Sequence, residues 1–163
     1  MNYHRIIKED INNGDGFRVS LFVTGCKFNC LGCWNKELQD PCFGKHFSET
    51  EKNIILNELK KPYCAGLSLL GGEPTHENNL FTLTQLTKEC KKQFPNKTIW
   101  MWTGNVFENI VDLEIIKYLD VVIDGRFLLK ERDLTLKWRG SKNQRCISVK
   151  ETLNAGRIIL HCS

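Results

Sequence analysis

The chain has 163 residues and a net charge of +4, with 41% hydrophobic and 26% charged residues, which is typical of a soluble globular protein. This length favours one domain with a substantial core, which we take to span residues 1–163. The basic residues are scattered and no apolar run approaches the ~18 residues of a membrane span, so neither nucleic-acid binding nor membrane insertion gains support.

The first predicted core strand follows a polar lead-in. Residues 1–17 contain no signal-type hydrophobic region and predict an edge strand at Arg5–Ile7, so we expect a cytoplasmic protein. Arg18–Thr24 is dense in Val, Leu and Phe, which is typical of a strand that is buried on both faces.

Three cysteines follow this strand in the spacing CxxxCxxC. They are Cys26, Cys30 and Cys33. Thiolates are soft donors that favour iron–sulfur clusters, zinc or Cu(I). Because iron–sulfur clusters are usually held by four cysteines, three local ligands indicate a cluster with one iron left open. A zinc knuckle that borrows His46 or Cys42 as its fourth ligand is the alternative.

Five further cysteines are spread along the chain, with no second CxxC among them: Cys42, Cys64, Cys90, Cys146 and Cys162. In a secreted protein this number would suggest disulfides, but the missing signal-type region argues against that interpretation. Free cysteine is commonly a small buried apolar residue, which is what we expect of these five. A second metal site is the alternative.

Helices and strands alternate through the middle of the chain. After a short helical piece at Trp34–Asp40, Ser48-Glu49-Thr50-Glu51 forms a capping box that predicts a helix to about Lys61. Gly66–Leu70 is a second core strand, closed by the sequence GGEP. A second helix is predicted from about Asn79 to Phe94, and a third strand, ending in WTG, at Thr98–Thr103.

The last third of the chain is less regular. Apolar residues that recur every four positions from Phe107 to Leu119 predict a third helix, and Asp120–Ile123 predicts a fourth strand that ends in Asp-Gly. Residues 126–144 are polar and irregular. Cys146–Val149 and Arg157–Leu160 predict a final antiparallel pair of strands.

The alternation of strands and helices predicts an α/β fold of mostly parallel βα repeats. A parallel sheet places its working loops at the carboxyl ends of its strands. The four core strands end in the cysteine loop, GGEP, WTG and DG, so we expect these four loops to converge at one edge of the sheet.

The cysteine spacing, with Gly71-Gly72-Glu73-Pro74 one strand later, resembles the radical S-adenosylmethionine (SAM) superfamily. The resemblance implies a partial, open (β/α) barrel and a [4Fe–4S] cluster on Cys26, Cys30 and Cys33, whose open iron chelates SAM. The two glycines would let the backbone approach the ligand closely, and Glu73 with nearby carbonyls would accept hydrogen bonds from its ammonium group. On its own, GGEP is equally consistent with a plain turn.

The resemblance also implies further contacts with the cofactor. Members of the superfamily often carry an aromatic residue just before the last cysteine, near the adenine. Here that position is Gly32, so Trp34 is the candidate aromatic surface, and a core anchor is its alternative. The cofactor-binding residues that we predict are Gly32, Cys33, Trp34, Gly71, Gly72, Glu73, Pro74, Thr103, Gly104, Asp124, Asn143 and Arg145.

Within the superfamily, the chain resembles the anaerobic ribonucleoside-triphosphate reductase activating proteins, a branch of the glycyl-radical activases. The resemblance covers nearly the whole chain and is carried by MNYHRI, LFVTGC, CxxxCxGCWN, GGEP, WMWTG, VVIDGRF and WRGSKNQR. The family commonly has Tyr in place of Trp34 and Asp in place of Glu73. In WRGSKNQR, positioning of the partner's loop is an alternative to a cofactor contact for Asn143 and Arg145, and a solvated surface is the alternative for the whole segment.

This resemblance implies an enzyme in which an external one-electron donor, such as a flavodoxin, reduces the cluster. SAM is then cleaved to methionine and a 5′-deoxyadenosyl radical, which takes a hydrogen atom from a glycine of the reductase large subunit. No side chain is expected to act as an acid or base, and a homodimer is left open. The alternatives are an activase of another glycyl-radical enzyme, a small-molecule radical SAM enzyme, and an Fe–S or Zn binding module without turnover.

Overall fold

The computed structural model describes residues 1–162, which form one eight-stranded sheet with helices on one face. The strands are β1 (Asn2–Asp10), β2 (Phe17–Val23), β3 (Lys45–His46), β4 (Cys64–Gly71), β5 (Thr98–Trp102), β6 (Val121–Asp124), β7 (Arg145–Ser148) and β8 (Leu160–Cys162). The α-helices are α1 (Glu49–Leu59), α2 (Glu77–Gln93) and α3 (Val149–Ala155). Short 3₁₀ turns occupy Lys36–Gln39, Phe107–Asn109, Glu114–Tyr118 and Leu129–Glu131.

The centre of the sheet is parallel and its flanks are antiparallel. The strand order is β3-β1-β2-β4-β5-β6-β7-β8, and the parallel pairs are β2–β4, β4–β5 and β5–β6. Val23 pairs with Gly71, and Trp102 pairs with Ile123, so these strands end at nearly the same level. The loops that follow the four parallel strands therefore start side by side, as the sequence predicted.

One face of the sheet packs against the helices. Alternate residues of the parallel strands, such as Val19, Leu21 and Leu69, are fully buried against α1 and α2. Helix α1 begins with the predicted capping box, in which Ser48 and Glu51 exchange hydrogen bonds with each other's backbone. This face holds the largest hydrophobic cluster of the protein, and its burial supplies most of the driving force for folding.

The opposite face carries a mixture of polar and aromatic side chains. At the amino ends of the parallel strands lies Arg18, whose buried guanidinium donates to Ser68 Oγ (2.7 Å) and Thr98 Oγ1 (2.9 Å) and to three backbone carbonyls. Burial lowers the pKa of Arg18 to about 10. The Trp100 ring covers the same guanidinium at 5.2 Å. Arg18 and Trp100 thus fill this face at the amino ends of the strands, and the remaining space on this face lies at the carboxyl ends of the strands.

Two predictions for the last third of the chain are wrong. The stretch from Phe107 to Leu119 is not an α-helix but two 3₁₀ turns. It is rich in β-branched residues, which are weak helix formers, and its apolar side chains reach the core without a continuous helix.

The final segment also differs from the prediction. Val149 begins helix α3, which ends at Gly156 with a left-handed φ of 64°, and the last strand is Leu160–Cys162 instead of Arg157–Leu160. Only two residues of this short helix are buried, so its apolar periodicity is too weak to read from the sequence. The antiparallel pairing of β7 with β8 is confirmed. None of the helices described is long and apolar enough to cross a membrane.

Candidate metal and cofactor site

A cavity of about 270 Å³ lies at the carboxyl ends of the parallel strands. The cysteine loop forms one side of it, and the loops after β4, β5 and β6 contribute Gly71, Gly72, Thr103, Gly104 and Gly125. The predicted convergence of four strand-end loops is therefore confirmed.

All three cysteines of the loop open into this cavity. Cys26, Cys30 and Cys33 are free thiols and each is partly exposed. Burial raises the pKa of the Cys26 thiol, and the neighbouring Glu73 carboxylate and the other two cysteines raise it further. Within residues 1–162, no three His, Cys, Asp or Glu side chains already converge as a ready metal site. The donor set fits an iron–sulfur cluster with three cysteine ligands, and metal binding commonly completes a site of this kind.

The conformation of the cysteine loop is held at its start and less so at its tip. The Gly25 amide donates to the Leu38 carbonyl at 2.8 Å, and the Cys26 amide donates to Gln39 at 3.0 Å. Further along, Asn29 has a left-handed φ of 47°, which Asn tolerates better than most residues do. The strand end and the following 3₁₀ turn therefore fix where the loop begins, while its middle has few backbone partners.

The two glycines of GGEP approach the backbone of the neighbouring strand. A Cβ on Gly71, whose φ is 108°, would lie 2.7 Å from the Val23 carbonyl oxygen. A Cβ on Gly72 would lie 2.7 Å from the Gly25 oxygen and 2.9 Å from the Leu38 oxygen. Side chains at these positions would separate β4 from the cysteine loop. The glycines thus serve the close packing of the chain on itself, and they also leave backbone exposed at the cavity.

Glu73 is buried and joins the loops after β4 and β5. Its Oε1 accepts hydrogen bonds from the Thr75 amide (2.9 Å), the Thr75 hydroxyl (2.7 Å) and the Thr103 hydroxyl (2.8 Å). Its Oε2 accepts from the Gly104 amide at 2.8 Å. A carboxylate offers about four acceptor positions, so most of its capacity is already used by the protein. The role predicted for Glu73, a contact with the ammonium of the cofactor, stays a prediction.

A buried asparagine completes this junction. Asn79, at the start of α2, donates through Nδ2 to the carbonyls of Thr24 (2.8 Å) and Glu73 (2.9 Å). Asn79 therefore connects Thr24, which lies just before the cysteine loop, to the GGEP loop. The sequence does not indicate this role, because a single Asn in a helix carries no distinctive signal.

Gly104 makes room for the aromatic ring of the cysteine loop. A Cβ at this position would lie 2.5 Å from the Phe28 ring. The same residue donates its amide to Glu73. Gly104 therefore couples the position of the cysteine loop to the buried junction. Thr103, its neighbour, lines the cavity as predicted and is held by Glu73.

Trp34 is not a core anchor. Its side chain is 79% exposed and lines the outer part of the cavity, with the Arg132 guanidinium 5.4 Å from its ring. Gly32 lies at the surface, and a Cβ on it would be 3.0 Å from Leu129 Cδ1. The core interpretation of Trp34 is therefore wrong, and its contact with adenine stays a prediction.

Three predicted residues lie in an adjoining cavity of about 540 Å³ that shares Gly104 and Gly125 with the first. They are Asp124, Asn143 and Arg145. Arg145 forms ion pairs with the buried Asp124 carboxylate and with Glu108, the latter at 3.0 Å and 2.7 Å. Its charge is thus balanced within the protein. Arg145 lowers the pKa of Glu108 to about 2 through this hydrogen-bonded pair.

The cavity brings together only part of the predicted set. The residues that line it are Cys26, Cys30, Cys33, Trp34, Gly71, Gly72, Thr103 and Gly104, whereas Gly32, Glu73, Pro74, Asp124, Asn143 and Arg145 do not. The lining also contains residues that the sequence analysis did not assign to the site, namely Asn13, Phe28, Asn35, Trp102, Phe127, Trp138 and Gln144. Gln144 lies in WRGSKNQR, so that motif supplied a signal, whereas the contribution of Asn13 is visible only in three dimensions.

The comparisons with known proteins agree with the chemistry of this cavity. Residues 12–147 match the model of a family described as a 4Fe-4S single cluster domain. The chain is 44% identical over 147 residues to the anaerobic ribonucleoside-triphosphate reductase-activating protein of Enterobacteria phage T4, covering 89% of this chain and 92% of that protein. It is 38% identical to the protein of the same name from Vibrio cholerae and 36% identical to that of Escherichia coli K12, each covering 88% of this chain and 96% of the relative.

Proposed function

Because the chain belongs to the family of anaerobic ribonucleoside-triphosphate reductase-activating proteins, we propose that it activates such a reductase by generating a glycyl radical on it. The observation that carries this proposal is the cavity into which Cys26, Cys30 and Cys33 all open, beside the backbone of GGEP and WTG. The protein is thus an enzyme of the glycyl-radical activase class.

The three thiolates would hold the [4Fe–4S] cluster, and SAM would occupy the cavity beside it. The chemistry that the bound pair supplies is a one-electron reductive cleavage of SAM, whose 5′-deoxyadenosyl radical takes a hydrogen atom from a glycine of the reductase. The residues Gly71, Gly72, Thr103 and Gly104 would present backbone groups to the cofactor. Trp34 and Phe127 offer aromatic surface for its adenine.

The protein's own contribution is placement. Glu73 binds the loops after β4 and β5 to each other, so the backbone around the cavity is ordered before any ligand arrives. The aromatic residues Trp102 and Trp138 form part of the cavity wall and pack against a buried hydrophobic cluster that contains Trp100 and Ile123. Such a wall keeps water and other hydrogen donors away from a reactive intermediate.

We also propose that the sheet is a partial, open (β/α) barrel of the radical SAM type, in a single domain of residues 1–163. Contacts between distant parts of the sheet support this. His161 on β8, at one edge, lies with its Nε2 3.1 Å from Oδ2 of Asp15, in the connection between β1 and β2. Lys137 Nζ lies 3.3 Å from Oδ1 of the same carboxylate. A flat sheet would keep these residues apart.

The partners that follow are the large subunit of the anaerobic reductase, as protein substrate, and an external one-electron donor such as a flavodoxin. We propose a cytoplasmic location, in agreement with the resemblance of the chain to anaerobic ribonucleoside-triphosphate reductase-activating proteins. A homodimer is left to measurement. Sedimentation of the reconstituted protein, with and without the reductase, decides between these assemblies.

The proposal is tested by anaerobic reconstitution with iron and sulfide, followed by dithionite and SAM. We expect about four irons per chain and release of 5′-deoxyadenosine and methionine, and a glycyl radical signal when the reductase is added. Cys30→Ala should lose the cluster, the release of 5′-deoxyadenosine and methionine, and the glycyl radical signal. The matched control is Cys42→Ala, which removes an exposed cysteine outside the cavity and should change none of them.

Absence of 5′-deoxyadenosine from an iron-loaded protein would leave a binding module as the function. A glycyl radical formed on a different glycyl-radical protein, and not on the ribonucleotide reductase, would assign the chain to another activase.

A further inference from the structure

The three most exposed large apolar side chains among the described residues lie on two segments that also contribute to the wall of the cysteine cavity. Leu31 is 78% exposed, and Trp34 and Leu134 are each 79% exposed. Two of them lie on the cysteine loop and the third lies on the segment of residues 126–144, which contributes Phe127 and Trp138 to the cavity wall. Isolated apolar residues are common on protein surfaces, but their concentration on two segments beside a cavity indicates an interaction site.

Contacts connect the two segments into one surface. The space beside Gly32 is filled by Leu129, the Arg132 guanidinium lies 5.4 Å from the Trp34 ring, and Arg126 donates a hydrogen bond to the Phe28 carbonyl. We use the name rim surface for the exposed residues of these two connected segments beside the cavity: Leu31, Trp34, Leu129, Lys130, Arg132 and Leu134.

The rim surface is also positively charged. The segment 126–144 contains six Lys and Arg residues against two acidic ones, and this excess equals the +4 net charge of the whole chain. Lys130 and Arg132 are exposed, and neither forms an ion pair with another residue in the part of the chain that the structure describes. Arg and Trp are residues on which binding energy at protein interfaces is often concentrated.

We propose that the rim surface is the docking site for the reductase, which presents an acidic segment with apolar side chains beside its radical-bearing glycine. This inference rests on the proposed function, in which the substrate is a protein. A glycine of that protein reaches the cavity only past the rim, and a partner seated there closes the cavity against water. Basic side chains beside the cavity attract an acidic partner and orient it before the apolar contacts form.

The test compares two charge reversals in the reconstituted full-length protein under anaerobic conditions. Lys130→Glu/Arg132→Glu reverses the rim, and Lys117→Glu/Lys150→Glu makes the same change in charge on exposed residues of the 3₁₀ turn after β5 and of α3. The affinity for the reductase large subunit is measured at low and high salt. In parallel, 5′-deoxyadenosine is measured with dithionite and SAM but without reductase.

We expect the rim reversal to weaken reductase binding by at least tenfold at low salt and to lower the glycyl radical yield accordingly. Release of 5′-deoxyadenosine without reductase should stay at the wild-type level, since neither residue lines the cavity. The control pair should bind within about twofold of wild type. A third variant, Leu134→Ser, should weaken binding at both salt concentrations, because an apolar contact is little screened.

Three results would overturn the proposal. They are unchanged reductase binding in the rim reversal, equal weakening by both reversals, and loss of self-association in the rim reversal with reductase binding intact, which would make the surface an interface between copies of this chain. A wild-type protein that fails to cleave SAM at all would count against the proposed function itself, and the binding measurement would still report on the surface.

Discussion

The two sides of the cavity differ in how firmly they are held. On one side, the cysteine loop is anchored at its start by two backbone hydrogen bonds, and its middle has few backbone partners. On the other side, buried Glu73 binds two loops through four hydrogen bonds, and Asn79 adds two more. The side that carries the three cysteines therefore makes fewer hydrogen bonds within the protein than the side that contains GGEP and WTG.

This difference has a physical reason. Cysteines bind metal as thiolates, and metal binding itself can supply the free energy that orders a loop with few hydrogen bonds of its own. Backbone groups that orient a cofactor gain by being fixed beforehand, since no ordering entropy is then lost on binding. Substitutions on each side measure the two contributions separately.

Glu73→Ala should give the largest effect, because it removes the centre of the side that contains GGEP and WTG. The hydroxyl of Thr103 and the amide of Gly104 would lose their acceptor in a buried position. We expect the free energy of unfolding to fall by about 3 kcal/mol, as for other broken buried networks. Urea denaturation of the metal-free protein measures this change.

The control for that substitution is Glu77→Ala, four residues away. Glu77 forms an ion pair with Lys27 at 2.8 Å, but both side chains are more than two-thirds exposed. We expect little change in the free energy of unfolding, because exposed ion pairs contribute little to stability. Equal effects of the two substitutions would show that Glu73 does not hold the junction.

Gly104→Ala should change the position of the cysteine loop, although Gly104 lies on the other side of the cavity with Glu73. The new Cβ would overlap the Phe28 ring, which stands 2.5 Å from that position, and the ring would have to move. We expect a loss of about 1–2 kcal/mol from overpacking, with a lower iron content after reconstitution.

Gly156→Ala serves as a comparison, since nothing lies within 4 Å of the added Cβ. It should lower stability through its left-handed φ of 64° but leave the iron content unchanged. Full iron content in Gly104→Ala would argue against coupling between the two sides.

Hydrogen exchange should show the contrast without any substitution. Amides of the cysteine loop from Lys27 to Cys33 should exchange at least tenfold more slowly after reconstitution, because the cluster fixes the loop. The amides of Gly72, Glu73 and Gly104 are hydrogen-bonded already and should change little. Equal protection of both regions in the metal-free protein would remove the proposed difference.

The smallest effect concerns the adjoining cavity and is measured as a loss of stability between pH 4.5 and 2. Arg145 lowers the pKa of Glu108 from its ordinary value of 4.5 to about 2. Because the pKa is lower in the folded protein, this group contributes stability above pH 4.5, and that contribution is lost as the pH falls toward 2.

Glu108→Gln should therefore lower the melting temperature near neutral pH and flatten its decrease between pH 4.5 and 2, so that variant and wild type approach each other near pH 2. Glu37 is a suitable control site, since it forms no ion pair among the described residues. A pH profile in Glu108→Gln that matches the wild type would rule out this contribution.

The sequence predicted the site better than it predicted individual contacts. Metal-ligand spacing and strand-end loops are local patterns, so the cysteine loop, GGEP and WTG were placed together correctly at one cavity. The predicted helix from Phe107 to Leu119 failed because a four-residue apolar period also fits two 3₁₀ turns against a core. Helix α3 was missed because it buries only two residues.

What the sequence determined by itself is therefore the chemistry: three thiols in CxxxCxxC at the end of a buried strand, in a chain whose relatives are activating proteins. Only the tertiary structure decided how each residue is used. Glu73 faces Thr103 and Gly104, which lie thirty or more positions away, and Arg145 faces Asp124 and Glu108. Spacing along the chain records which groups are available, whereas their partners depend on strand register and on packing between distant segments.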